Sequence, residues 1–172
     1  MAQHIKNVVL VHGAFADGSG WEDVANILNK DGYTVAVVQH PETSYAGREI
    51  HEGGDRQTVR TGGSGGPQLR RGRHCEAGNH PKVVALVYIA AFALDTGESC
   101  AAIEQAVPPA TTGIKSTDDG HFYIDPAVFH ADFAADLPEA KAAFMAESQV
   151  LISADSFTHK VTSPARRTKP TC

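Results

Sequence analysis

Basic charge is in deficit in this chain. Fifteen Lys and Arg stand against 20 Asp and Glu, leaving a formal charge of −5 at pH 7. A nucleic-acid partner needs a clustered basic face, so none is expected. Long apolar runs are also missing. The longest, Val83 to Leu94, is 12 residues, well short of the roughly 20 that a spanning helix needs, so no membrane partner is expected either. Met1 to Lys6 carries no apolar signal-peptide core, because Asn7 leads straight into a strand-like run. A cytoplasmic location follows as the expectation. Cysteine is scarce: Cys75, Cys100 and Cys172 are odd in number and far apart, which suits reduced thiols better than a disulfide framework. The 172 residues suit one domain with a genuine core.

Against these absences stand three apolar runs. Val8 to Val11, bounded by Asn7 and His12-Gly13, reads as a buried parallel strand. Ser19-Gly20-Trp21-Glu22 fits a capping box with Ser19 as N-cap. Trp21, Val24, Ile27 and Leu28 then recur at helical spacing, and Asp31-Gly32 ends the helix with a glycine suited to the left-handed C′ position. Thr34 to Val38 is the second strand, completing a strand–helix–strand unit. Val83 to Phe92 reads as a third strand, fully apolar and expected to neighbour the others in parallel. Beyond it the pattern turns helical. A short helix is expected within Glu98–Ala106, and Asp125-Pro126 is an N-cap followed by proline at N1. Phe129, Phe133 and Leu137 form an apolar stripe, and Pro138 to Gln149 is an Ala-rich helix.

Residues 47–75 differ from their surroundings. They hold eight of the 16 glycines and six arginines, and their only large aliphatics are Ile50, Val59 and Leu69. This composition predicts a mostly irregular or mobile segment that lacks the sheet's central strand. The string Gly62-Gly63-Ser64-Gly65-Gly66 spells G-x-S-x-G in letters. No apolar strand precedes it, and it reads as flexible linker.

The opening Asn7-Val8-Val9-Leu10-Val11-His12-Gly13-Ala14-Phe15, with the capped helix after it, resembles the α/β-hydrolase fold, in particular its small esterase and hydroxynitrile-lyase-like branch. The resemblance covers residues 5–46 and 76–170. It implies an α/β fold with a mostly parallel sheet, flanking helices and a helical lid. One partial domain is then expected over 1–172: a βαβ unit in 1–46, the aberrant segment 47–75, a core strand in 76–95 and lid-like helices in 96–165. It also implies a small organic ester-like substrate, no cofactor, and a serine nucleophile on a strained elbow with an acid and a histidine following. A backbone N–H after the His-Gly turn would help form the oxyanion hole, so His12, Gly13, Ala14 and Phe15 are read as its remnant.

The elbow should fall in the aberrant segment. Back-translation of residues 47–75, read one base later with free choice of synonymous codons, permits a peptide containing V-V-L-V followed by G-H-S-Y-G, the elbow beginning at the codon for Gly66. A frameshift near Ala46, compensated near Cys75, is therefore the expected origin of the segment. Ala165-Arg166-Arg167-Thr168-Lys169-Pro170 resembles the lead-in to the next family strand, which places the acid and the histidine of the family pattern past Cys172.

No catalytic residue is therefore assigned, and the chain is expected to be catalytically dead. His121, His130 and His159 lie in the lid-like region and are read as surface or lid residues, since a base needs a positioned nucleophile. His74, Cys75 and His80 match no zinc spacing, so no metal site is expected. Arg70, Arg71 and Arg73 read as solvated, and Cys100 as a structural thiol. The rival expectation is a non-catalytic module that holds an apolar ligand or self-associates through an exposed sheet edge.

Overall fold

A computed structural model of the chain describes residues 6–39, 48–53, 56–61, 77–107 and 110–172. It is a mixed α/β structure. Strand β1 (Asn7–Leu10) pairs in parallel with β2 (Thr34–Val37), from Asn7 opposite Thr34 to Leu10 opposite Val37. Between them a 3-10 turn over Gly18–Trp21 feeds helix α1 (Glu22–Lys30). The expected N-cap is displaced by two residues. Asp17, not Ser19, caps the turn, its carboxylate accepting from the Ser19 N–H at 2.8 Å. The tighter first turn moves the free amides toward Asp17, which beats a serine hydroxyl because it brings a full negative charge to them. Gly32 ends the helix at φ 85, as its position predicts.

Two expectations about the sheet need correction. Within the segment expected to be mostly irregular, β3 (Arg48–Gly53) and β4 (Arg56–Thr61) form an antiparallel pair, Gly53 opposite Arg56, in a sheet of their own. The sequence between them is Gly54-Asp55, a dipeptide suited to a tight hairpin, and β-branched Ile50, Thr58, Val59 and Thr61 favour strand. The rest of the aberrant segment, with Ser64, Arg70, Arg71, Arg73, His74 and Cys75, lies outside the described residues. The expected third parallel strand is also corrected. Among the described residues the one bridge made by Val83–Phe92 is Leu86 to Thr171, parallel. Leu86 N–H donates to Pro170, and Tyr88 N–H to Cys172. Among the described residues no strand flanks the other edge. Val87 and Ile89 consequently stay more than half exposed, and Ala90 at φ 46 breaks the extended path.

The 96–165 region contains the expected helices and also a sheet. Helix α2 (Cys100–Ala106) is N-capped by Ser99, whose Oγ accepts from the Ala102 N–H. Strands β5 (Ile114–Ser116), β6 (His121–Ile124) and β7 (Ile152–Ser153) form an antiparallel sheet with β6 in the middle. Gly120, at φ 80, closes the β5–β6 turn, donating to the Thr117 carbonyl. The described pairing is thus one parallel pair and two antiparallel sheets, not a mostly parallel sheet. Helix α3 (Pro126–Phe133) starts as predicted, with Asp125 accepting from the Ala127 N–H and Pro126 at the first position. Helices α4 (Glu139–Glu147) and α5 (Ala154–Thr158) follow.

The main core forms where these elements meet. Phe129 is fully buried among Phe15, Ile124, Ala134, Ala142, Ala146 and Ile152. Ala142 and Ala146 recur four apart, which puts small side chains on one face of α4 and lets α3 approach. The predicted stripe holds only in part: Phe133 stacks on Phe129 at 4.9 Å yet remains 40% exposed. A second, smaller core joins Leu94 and Val161, with Cys100 and Ile103 packed on it. The C-terminal tail is tied across it. Arg166 and Arg167 both pair with Asp95, and Arg166 Nε donates to the Leu94 carbonyl.

Candidate functional site

The His-Gly turn leaves β1 and runs into the main core. His12 is buried, and its Nδ1 lies 3.1 Å from the Gly13 carbonyl. A carbonyl can only accept, so this contact requires the proton on Nδ1. Phe15 sits at φ 63, a region that non-glycine residues seldom occupy. What holds it there is its ring, buried against Ile124 and Phe129. Sustained backbone strain of this kind is over-represented at functional sites. Among the described residues no acceptor meets the N–H of Ala14 or Phe15. Of the four residues read as the oxyanion remnant, Ala14 and Phe15 therefore offer free donors, and His12 and Gly13 shape the turn.

Phe15 also lines a half-open cavity of about 230 Å³. Phe122 from β6, Phe157 from α5 and Ile114 from β5 supply its apolar wall. Glu104 from α2 and Thr111 and Thr112 supply its polar rim. The strand alternation explains the wall: Phe122 and Ile124 share one face of β6, and Ile124 is buried in the core behind it. Phe122 and Phe157 meet at 6.0 Å with tilted rings. Thr111 is already engaged, its Oγ1 donating to Asp132 and accepting from the Gly113 N–H. Glu104 is different. Partial burial pushes its carboxyl above the usual range, and among the described residues no cation or hydrogen-bond donor offsets that.

The late histidines do not join this cavity. His130 Nε2 contacts the Leu137 carbonyl at 2.9 Å and so ties α3 to the turn that follows it. His159 stands at the C-terminal end of α5, its N–H bonded to the Asp155 carbonyl. His121 comes nearest to a catalytic arrangement. Its Nδ1 is 3.2 Å from Asp119, and Ser153 lies opposite it on β7. Ser153 is buried, however, and its hydroxyl is committed: it accepts from the Ser156 N–H and donates to Ser156 Oγ. A nucleophile needs an exposed Oγ beside oxyanion donors. None of His121, Ser153 and Ser156 lines the cavity that Phe15 lines. Among the described residues no group of three or more His, Cys, Asp or Glu lies close enough to hold a metal ion. His80 Nδ1 accepts instead from the Lys82 N–H.

Sequence reasoning identified the turn and missed Glu104, Phe122 and Phe157. No periodicity marks them, since the cavity draws single residues from four separate elements. No helix among the described residues is long and apolar enough to cross a membrane. Comparison with family models, curated proteins and solved structures found no match.

Proposed function

We propose that this chain is a relative of the α/β-hydrolase fold that no longer performs acyl transfer and that retains, from the ancestral site, a small apolar-walled ligand cavity. The observation that carries the reading is the turn after β1. Phe15 is held at φ 63 with its N–H and that of Ala14 unbonded among the described residues, and its ring forms a wall of the cavity. The ancestral activity would be hydrolysis of small esters: serine attack, histidine as base, aspartate orienting it, and backbone N–H groups taking up the oxyanion charge. Only the last of these has candidates here. Ser99 and Ser153 are occupied as helix caps and His130 by the Leu137 carbonyl, which supports a silent site.

The alternative within the same reading is a module that binds without turnover, and the 230 Å³ cavity favours it. The proposed frameshift predicts that the coding DNA over residues 47–75 spells the elbow when read one base later. A DNA sequence that does not spell it removes that origin for the segment. Activity is tested with p-nitrophenyl esters and a serine-directed phosphonate. The expected result is no stoichiometric label and no hydrolysis sensitive to Ser64→Ala. Labelling of one serine, with turnover abolished by its alanine variant, overturns the reading.

A further inference from the structure

We infer that the cavity takes a small organic cation, an alkylated ammonium whose charge faces Glu104 and whose alkyl groups lie against Phe15, Phe122 and Phe157. The inference rests on the reading that this cavity holds a small molecule, and it names the class.

Three observations point the same way. Three phenylalanines line the wall, Phe15, Phe122 and Phe157, and the rings of Phe122 and Phe157 lie 6.0 Å apart. Ring faces carry negative electrostatic potential and attract cations, which is how aromatic cages recognise alkylated ammonium groups. Among the described residues the one ionisable group in the lining is a carboxylate, Glu104, with no lysine, arginine or histidine beside it there. A second carboxylate, Asp132, stands behind the rim and occupies the Thr111 hydroxyl. An anionic ligand would meet Glu104 with like charge and would find the Thr111 proton already donated. A neutral ligand would fill the space and further desolvate Glu104 without compensation. A cation answers both the carboxylate and the rings.

Size narrows the class. At about 230 Å³ the cavity is smaller than the roughly 300–1,000 Å³ of drug-sized pockets, so it suits a head group of a few carbons. An alkylated ammonium has most of its charge spread over its carbons and is weakly hydrated. It therefore gives up little on entering an apolar wall, whereas a metal ion would lack the oxygen ligands it demands.

The test uses two compounds of matched shape: choline, and 3,3-dimethyl-1-butanol, in which a carbon replaces the nitrogen. Binding to the full chain is read by calorimetry and by saturation-transfer NMR. Choline is expected to bind at least about tenfold more tightly than the alcohol. Glu104→Gln, which preserves shape at a partly exposed helix position, should weaken choline severalfold toward the affinity of the alcohol and leave the alcohol unchanged, the residual preference being that of the rings. Phe157→Leu should weaken choline more than the alcohol, because it keeps apolar volume and removes the ring face. If the alcohol binds as well as choline, or if Glu104→Gln leaves choline unaffected, the cation inference is overturned while the apolar-cavity reading stands. If neither compound binds, both fall. Phosphonate labelling of a serine would instead overturn the silent-site reading alone.

Discussion

Gln149 is the residue whose removal tests the packing of the site most directly. It follows α4 and reaches back to β6. Its Oε1 accepts from the Ile124 N–H at 2.8 Å, and its Nε2 donates to the Ile124 carbonyl at 2.9 Å and to the Ala146 carbonyl at 2.9 Å. The side-chain amide thus imitates a neighbouring strand at Ile124 and satisfies an end carbonyl of α4. Ile124 is buried two residues along β6 from Phe122, which lines the cavity. Gln149→Leu keeps the bulk and removes all three bonds. Each neutral hydrogen bond contributes about 1 kcal/mol net, and a buried group left unpaired costs about 1–3 kcal/mol. Gln149 is half-buried, so water reaches part of the gap, and the expected cost is about 2–3 kcal/mol. Gln149→Glu should cost at least as much at pH 7, because a carboxylate would face two carbonyl oxygens with no proton to donate. The assay is urea unfolding followed by circular dichroism. The midpoint should fall with the slope unchanged. A Gln149→Leu chain within about 0.5 kcal/mol of the parent would refute the reasoning, since that is the range of substitutions that touch nothing.

Other expectations follow from the same structure. Asp95 is held at about 2, well below its ordinary 3.8, first by the hydrogen bond from Arg167, then by the Thr96 N–H and the Arg166 charge. Its contribution is present above pH 3.8 and lost as pH falls toward 2, so Asp95→Asn should flatten the acid limb of the stability curve in that window, as read by pH-dependent urea melts. Phe15→Ala should destabilise the chain by about 3–5 kcal/mol, because it empties a core site and leaves the left-handed backbone strained; calorimetric melting measures it. Val87→Lys should change stability by no more than about 0.5 kcal/mol, since Val87 is 67% exposed. A loss of several kcal/mol there would mean that Val83–Phe92 is a buried strand after all.

Local signals carried part of the fold. The parallel β1–β2 unit was legible because two β-branched runs flank an amphipathic helix that stops at a glycine. Helix α3 was legible from Asp125-Pro126 alone, since cap and proline act on the same turn. Both hairpins were missed, although Asp118-Asp119-Gly120 and Gly54-Asp55 are ordinary turn sequences. The first was absorbed into a lid read as wholly helical, and the second into a segment judged by its glycine content. Val83–Phe92 failed for a different reason. An uninterrupted apolar run declares that a strand would be buried if neighbours existed, and it says nothing about whether they do. The turn at His12–Phe15 was legible because one motif contains it. Glu104, Phe122 and Phe157 were not, because residues so far apart in sequence meet only once the fold has formed.

The distribution of burial bears on what such a chain can sustain. Among the described residues of the N-terminal unit only Leu10 and Val38 are buried beyond the turn residues, and α1 has no buried residue. Ile27 is 58% exposed on the helix that should cover the sheet. Of the three largest fully buried side chains, Phe129 and Val161 belong to the later region and only Val38 to the N-terminal unit. Under the proposed frameshift, Gly62, Gly63, Ser64 and Gly65 stand where V-V-L-V would be read. Burying four such aliphatic side chains contributes about 1.5–3 kcal/mol each, so about 6–12 kcal/mol would be forgone. That is comparable with the whole stability of an ordinary domain, about 5–15 kcal/mol. A chain altered in this way keeps a folded state only through a core that does not depend on the central strand. The cluster around Phe129 meets that condition: its buried members come from α3, α4, β6, β7 and the loop after α3, with Phe15 alone supplied by the N-terminal turn. The cavity lies against that cluster, so the proposed ligand binding would not depend on the elbow that the proposed frameshift removes.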